Sequence, residues 1–452
     1  MTYRAERYRK FGSTSRANNV YGERTLRYLL PWPINRLPSQ LLYNLALTNK
    51  ENKILKMLTK LKDPLHPLLG PTLKGLRAWG MWQAERGIKP VVYNIVHILA
   101  TLFVISQYVE LWFIRSKLDL ALRNLSISML STVCVVKAGT FVYWQNDWRN
   151  VMNFVSLTEL SQSKDKSTEH ISREYRKYSR LVTYFYWSLV AATVFTVILA
   201  PLVSFLSSPI NRERIINGTA PYPEIMSSWA PFDKSRGVGY VIMIIEHTLI
   251  CFYGGGIVAT YDSNSVVLMT FFSGQLEILK LKCSMLFGDG SNVVCYEEAV
   301  SNIKKCHYHH INLVKYSKLL DSLLSPVMFL YIIICSLMIC ASAVQLTTEG
   351  TTTVQRIWIA EYLMALIAQL FLYCWHSNTV LYTSLKLDDG VYESAWWSHG
   401  VKIRRSVLLL GGQLNKTIVF TAGPFTRLTL STFVTILKGS YSYYTLLNSK
   451  DD

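Results

Sequence analysis

Predominantly apolar runs of about 20 residues or more, the length a helix needs to cross a hydrocarbon core, recur along this chain. Five are clear, at residues 91–114, 182–207, 237–260, 323–346 and 357–381. A sixth, 125–144, carries Lys137 and is flanked by Asp119, Arg123 and Asp147. A seventh, 424–447, is amphipathic: it holds Arg427, Lys438 and a succession of Ser, Thr and Tyr. The pattern predicts an all-α membrane protein with seven transmembrane helices. A span with hydroxyls and cations on one face cannot offer that face to lipid, so the seventh must sit among other helices or line water.

Composition supports this reading. Only 17% of the 452 residues are charged and half are hydrophobic, against about 25% charged in soluble domains. Mean hydropathy is +0.20. The 13% aromatic content excludes disorder for most of the chain. Lys and Arg outnumber Asp and Glu by 18, which by itself suits a nucleic-acid binder. The cations are dispersed over loops flanking the spans, however, so no nucleic-acid partner is expected. Cytoplasmic loops carry the excess of Lys and Arg. With the N-terminus inside, segments 1–90, 145–181, 261–322 and 382–423 hold 35 of them, and the outside segments hold 8. The N-terminus is therefore expected in the cytoplasm and, with seven spans, the C-terminus outside. The sequon at Asn217 falls in the long outside loop, where it can be glycosylated. Asn124 and Asn415 also head sequons, and the latter is expected to be cytoplasmic and unused.

The eight cysteines lie in spans or cytoplasmic segments, so no disulfide is expected. Residues 1–28 lack the apolar centre of a signal peptide. The cations Arg4, Arg7, Arg9, Lys10, Arg16, Arg24 and Arg27 suit either anionic headgroups or a solvated tail.

Motifs of catalysis are scarce. Gly254, Gly255 and Gly256 lie inside a span rather than after a strand, which points to close helix packing and not to a phosphate cradle. Cys306, His307, His309 and His310 form a metal-like cluster without the second pair that zinc sites use. Asp388 and Asp389 read as solvated charge, and neither metal, cofactor nor enzymatic activity is expected. Ionisable groups within spans are His97, Glu110, Lys137, Glu246, His247, Glu361 and His376; such groups mark function by default, and several lie near span ends where snorkelling explains them. Aromatic and other apolar residues gather in the expected outer halves of the second, third, fourth and sixth spans, at Met129, Phe195, Leu199, Tyr240, Met243, Ile244, Trp358 and Tyr362. With His247 and Ser126 as polar groups, they suit a pocket for a small oily ligand; simple helix packing suits the same spacing.

The C-terminal third is more specific. FLYCWHSNTVLYTSLKLDDGVYESAWW (371–397), KIRRSVLLLGGQ and TAGPFTRLTLSTFVTILKGSYSYYTLLNS (421–449) closely resemble the insect odorant receptor family, as does KKCHYHHINLVKYSKLLDSLLSP before the fifth span. Upstream the resemblance is looser, from LKGLRAWGMW near Lys74 through the first spans. The closing SYSYYTLL lacks the Gln-Phe with which gustatory receptors, the sister family, end.

The resemblance implies a tetrameric cation channel in the plasma membrane of olfactory sensory neurons, opened by a small volatile odorant, in which tuning subunits assemble with a common co-receptor as a heterotetramer. The segment between the fourth and fifth spans, 262–322, lacks the long insertion of the co-receptor, so the chain resembles a tuning subunit. The implied divisions are a cytoplasmic region 1–90, six spans with the odorant pocket in 91–381, a cytoplasmic anchor 382–423, a pore-lining span 424–447 and a tail 448–452. Helical periodicity puts Thr435, Lys438, Ser442, Leu446 and Ser449 on roughly one stripe. The resemblance turns this stripe toward the pore, with Leu446 as a hydrophobic gate. A ring of Lys438 ammonium groups opposes cations unless turned aside or diluted by partner subunits. A gustatory receptor channel is the nearest alternative. A G-protein-coupled receptor needs the opposite orientation, and a membrane enzyme or transporter needs convergent polar groups.

Overall fold

The structure, a computed structural model, describes residues 63–448 apart from 64, 117, 163–164, 166, 208, 218–221, 235–236, 289–293 and 348–352. The basic N-terminal stretch and Ser449 lie outside the described residues, as does the side chain of Leu446.

Twelve α-helices follow one another among the described residues: α1 Gly70–Ala78, α2 Ile88–Ile114, α3 Leu118–Tyr143, α4 Gln145–Gln162, α5 Glu169–Ser207, α6 Pro209–Ile216, α7 Gly237–Ser284, α8 Tyr296–Thr347, α9 Thr353–Leu385, α10 Asp389–Glu393, α11 Val401–Leu414 and α12 Leu430–Asn448. A two-stranded hairpin, β1 Thr421–Ala422 and β2 Thr426–Arg427, precedes α12 with Thr421 opposite Arg427. Six helices (α2, α3, α5, α7, α8 and α9) are long and apolar enough to cross a membrane by length and composition. The seventh expected span corresponds to α12. It begins at Leu430 rather than at 424, because residues 421–427 turn back as the hairpin.

Helix α2 shows why a bilayer is the matching solvent. Ala100, Phe103, Val104 and Gln107 are buried, whereas Ile95, Ile98, Leu99, Leu102 and Ile105 are exposed around the rest of its circumference. A continuous apolar surface of this kind is rare on water-soluble monomers. At its far end the Arg115 guanidinium lies 3.9 Å over the Trp112 ring, the pairing of amphipathic side chains found at membrane interfaces.

Two helices are longer than a membrane span requires. The fourth and fifth spans end in the sequence at Thr260 and begin at Leu323, yet α7 continues to Ser284 and α8 starts at Tyr296. At about 1.5 Å per residue, a helix of 48 residues is more than twice as long as a hydrocarbon core is thick. Nearly every residue of α7 from Ile257 to Leu279 is buried, so it is the axial element of a second, lower layer. There α4, α8, α10, α11 and the hairpin pack into the main hydrophobic cluster. The expected 261–322 connection is therefore mostly helix.

The hairpin is clamped onto α8. The Thr421 N–H donates to Asp321 Oδ1 at 2.7 Å, and the Gly423 N–H donates to Ser325 Oγ at 2.9 Å. Gly423 has φ +67°, and a Cβ there would stand 2.6 Å from the Phe329 ring. Alanine meets both the left-handed backbone penalty and a clash. Gly423→Ala is expected to lower thermal stability by about 1–3 kcal/mol, read as earlier melting of the purified protein.

A buried acid sits in the same layer. Glu159 accepts a hydrogen bond from the Tyr175 hydroxyl and lies 3.7 Å from the Arg176 guanidinium. Burial pushes its carboxyl up to about 7 against the opposing pull of Arg176 and Arg180. The native state then holds the proton more tightly than the unfolded chain. Its contribution to stability is full below the ordinary glutamate range and is lost as pH rises through about 7. Glu159→Gln is expected to flatten this decline in melting temperature between about pH 5 and about pH 8; an unchanged slope contradicts it.

Candidate functional site

The sequence-derived ligand residues separate by helix face. Met243 and His247, one turn apart on α7, are buried. Tyr240 and Ile244 beside them are half-buried, as are Met129 on α3 and Trp358 and Tyr362 on α9. The Tyr362 hydroxyl lies 3.7 Å from the Met338 sulfur of α8. Phe195 and Leu199 do not join this group. They are 55% and 46% exposed, and Phe195 packs on Phe252 on the outside of the bundle. The inward side of α5 is instead Val194, Val197 and Ile198. All five are apolar residues in an apolar helix, so periodicity could not say which face turns inward.

The loop after α6 closes this upper layer. Ile225 and Met226 are buried with Phe103 and Cys251, against Ile127, Val194, Val197, Ile198, Ile244 and Ile250. Backbone and side-chain bonds hold the loop there. The Asn124 amide donates to Ser227 O at 2.9 Å, the Trp229 N–H to Ser106 O at 3.2 Å, and the Tyr240 hydroxyl to Pro223 O at 3.0 Å. Lys234 Nζ donates to Ser228 O and pairs with Glu110 at 3.0 Å and Glu224 at 3.6 Å. Asn124 is thus buried and engaged, which leaves its sequon unsuitable for a glycan. Asn217 is exposed.

Below the upper layer lies a polar centre of which sequence reading singled out Lys137 but not its partner Asp262. Asp262 Oδ1 accepts from Lys137 Nζ at 2.6 Å and from the Tyr373 hydroxyl at 2.6 Å, and its Oδ2 accepts from the Tyr186 hydroxyl at 2.7 Å and Gln369 Nε2 at 2.5 Å. Lys137 is completely buried and lies within 6 Å of the Tyr261, Tyr331 and Tyr373 rings, the nearest at 5.2 Å. Four helices, α3, α5, α7 and α9, thereby meet on one carboxylate, with α8 contributing Tyr331. A small cavity runs beside it, lined by Tyr186, Asp262, Ser263, Val266, Gln369 and Tyr373 among others. Buried charge is tolerated when paired and hydrogen-bonded, and both carboxylate oxygens here have two donors each.

Three further ionisable groups in the spans, His97, Glu361 and His376, act as ties. His97 contacts the Tyr253 hydroxyl at 2.7 Å and Gly80 O at 3.2 Å. Glu361 accepts from Thr196, and His376 contacts the Tyr178 hydroxyl at 3.2 Å. Glu246 is exposed. Two glycines of the triplet are packing devices: a Cβ at Gly255 would meet Val194 at 2.4 Å, and one at Gly256 would meet the Trp79 ring at 2.0 Å. Among the described residues no group of His, Cys, Asp and Glu is arranged to hold a metal, and His310 of the Cys306 cluster is fully buried.

Helix α12 has two unlike faces. Phe433, Ile436 and Leu437 pack on the main cluster and the Ser440 hydroxyl donates to Ser336 O of α8. Thr435, Lys438 and Ser442 are exposed on another face.

A bundle of six long apolar helices with a buried ion pair and an additional amphipathic helix defines a polytopic helical membrane protein. The family model described as 7tm Odorant receptor matches residues 117–441, and the chain belongs to that family. It is 23% identical to Odorant receptor 13a of Drosophila melanogaster over 83% of this chain and 93% of that one. With Odorant receptor Or2 of Anopheles gambiae it shares 31% identity over 32% of this chain, a match that spans 39% of that receptor. The fold is similar to that of the insect olfactory receptor OR5 from Machilis hrabei in complex with eugenol, with TM-score 0.71 and 16% identity over 86% of this chain and 100% of that chain.

Proposed function

We propose that this odorant receptor family member is a tuning subunit of a ligand-gated, non-selective cation channel. It binds a small hydrophobic volatile in the upper layer and opens a central pore together with the odorant co-receptor in a heterotetramer. Its place is the plasma membrane of an olfactory sensory neuron, with the N-terminus cytoplasmic, the C-terminus outside and Asn217 available for glycosylation.

The observation that carries this reading is the uncovered polar face of α12, Thr435, Lys438 and Ser442, on a helix whose opposite side is packed into the bundle. Lipid is a poor solvent for such a face. Water at the centre of an assembly is a good one. In the sequence, Leu446 and Ser449 fall at the helical spacing of the same stripe, and Leu446 is the proposed hydrophobic gate, an apolar ring that stops ions by expelling water. Lys438 is compatible with cation flow when companion subunits dilute its charge.

For the ligand, Met129, Tyr240, Met243, Ile244, His247, Trp358 and Tyr362 form the proposed lining, joined by Val194 and Ile198 in place of Phe195 and Leu199. Only the difference in ligand affinity between closed and open states drives the pore. Met243→Ala and Tyr362→Ala are expected to shift agonist potency or spectrum at unchanged surface expression. Superimposable dose-response curves over a broad odorant panel remove them from the lining. The reading as a whole is tested by recording odorant-evoked current with and without the co-receptor. A G-protein-coupled receptor instead requires an outside N-terminus, which a tag accessible on intact cells reveals.

A further inference from the structure

His247 combines complete burial with an unfilled bonding position. Its Nε2 lies 2.8 Å from Ser228 Oγ of the loop, whereas its Nδ1 has no hydrogen-bond partner among the described residues. Around the ring stand Phe103, edge-on at 5.5 Å, and Met243 one turn earlier on α7. Ile225 and Met226 of the loop bury themselves against Phe103 and Ile244. The imidazole is thus held by a loop that the four bonds of Asn124, Trp229, Tyr240 and Lys234 keep in place.

Which nitrogen carries the proton follows from the cost of leaving each kind of atom unpaired. A buried N–H without an acceptor is rarer in proteins than an under-satisfied acceptor. The neutral ring carries one donor and one acceptor nitrogen. The tautomer of lower cost therefore puts the proton on Nε2, donating to Ser228 Oγ, and leaves Nδ1 as a bare acceptor in an apolar layer. A hydroxyl supplied by a ligand satisfies it; an ether or a ketone of the same shape has no proton to offer.

We infer that the receptor selects small apolar alcohols and phenols, whose hydroxyl donates to His247 Nδ1, and that Ser228 is the positioning residue that fixes the ring in that tautomer. This rests on the proposed ligand layer and adds to it the chemical class of the ligand. Ile225 and Met226 supply apolar wall beside the hydroxyl, so the same loop contributes both shape and polarity.

The test is binding, read as thermal stabilisation of the purified full-length receptor, and so does not depend on ion flow. The probes are benzyl alcohol, benzyl methyl ether, acetophenone, phenol and anisole. The expected result is that benzyl alcohol and phenol bind about fivefold or more tighter than their methyl ethers, the effect of one neutral hydrogen bond. His247→Leu is expected to bring each pair within about twofold. Ser228→Ala is expected to weaken the alcohol preference while leaving ether binding unchanged, and Ser228→Thr to restore it, a split that a merely structural role for Ser228 does not produce. Ethers or acetophenone binding as well as the alcohols overturns the inference, as does stabilisation by none of the probes or a preference that survives His247→Leu. Alcohol-selective binding without current contradicts the channel reading alone, and current without alcohol selectivity contradicts this inference alone.

Discussion

Asp262→Ala is expected to abolish surface expression. The substitution leaves the Lys137 ammonium, which has no exposure to solvent, without a counter-charge inside the bundle. Breaking one side of a buried pair typically costs about 3–5 kcal/mol. It also deprives the Tyr186 and Tyr373 hydroxyls and the Gln369 amide of their acceptor, each worth about 1–3 kcal/mol when left unsatisfied. These sums rival the whole stability of a domain, about 5–15 kcal/mol. The charge component can be separated from the rest. Asp262→Asn alone leaves the cation unpaired, and adding Lys137→Met removes it, so the double variant is expected to melt higher than Asp262→Asn. If Asp262→Ala reaches the surface and melts with the parent, the centre does not hold the bundle together.

The second large effect concerns the pore. Leu446→Ala is expected to raise ligand-free current severalfold, because a narrow ring of leucines excludes water and alanine widens and wets it. Surface labelling normalises for expression. An unaltered baseline and unaltered gating at normal surface density contradict the gate assignment and leave the stripe to be explained by subunit packing.

Much of this architecture was legible in the chain because lipid imposes a length and a polarity that sequence displays directly. The apolar runs correspond to the six long helices, and the polar 424–447 stretch to the amphipathic α12, although its first residues lie in the hairpin. What lay beyond was tertiary. Asp262 reads as the first charge after a span, since hydropathy does not reveal that Lys137, 125 residues earlier, reaches it. The extension of α7 is hidden for a related reason. Val266, Val267, Leu268, Met269, Phe271 and Phe272 look like a second apolar run past a polar break, although Asp262, Ser263, Asn264 and Ser265 continue the same buried helix. Phe195 and Leu199 turn to the outside of α5 while Val194, Val197 and Ile198 turn inward, a choice of face that an all-apolar helix does not display in its sequence. His247 was legible as a polar residue in an apolar span, but its partner Ser228 lies in a loop whose burial no local pattern announces. Ile225 and Met226, two apolar residues between Glu224 and a pair of serines, were the available signal.

The account stands on α12 bordering the path of ions in an odorant-gated assembly. Ser442→Cys, expressed with the odorant co-receptor and activated by an agonist, measures this directly when a charged, membrane-impermeant thiol reagent is applied during the evoked current. The predicted result is an irreversible change in current in Ser442→Cys and none in the parent receptor, whose own cysteines serve as the control. An agonist-evoked current that the reagent leaves untouched, or no evoked current in the assembled complex, contradicts it.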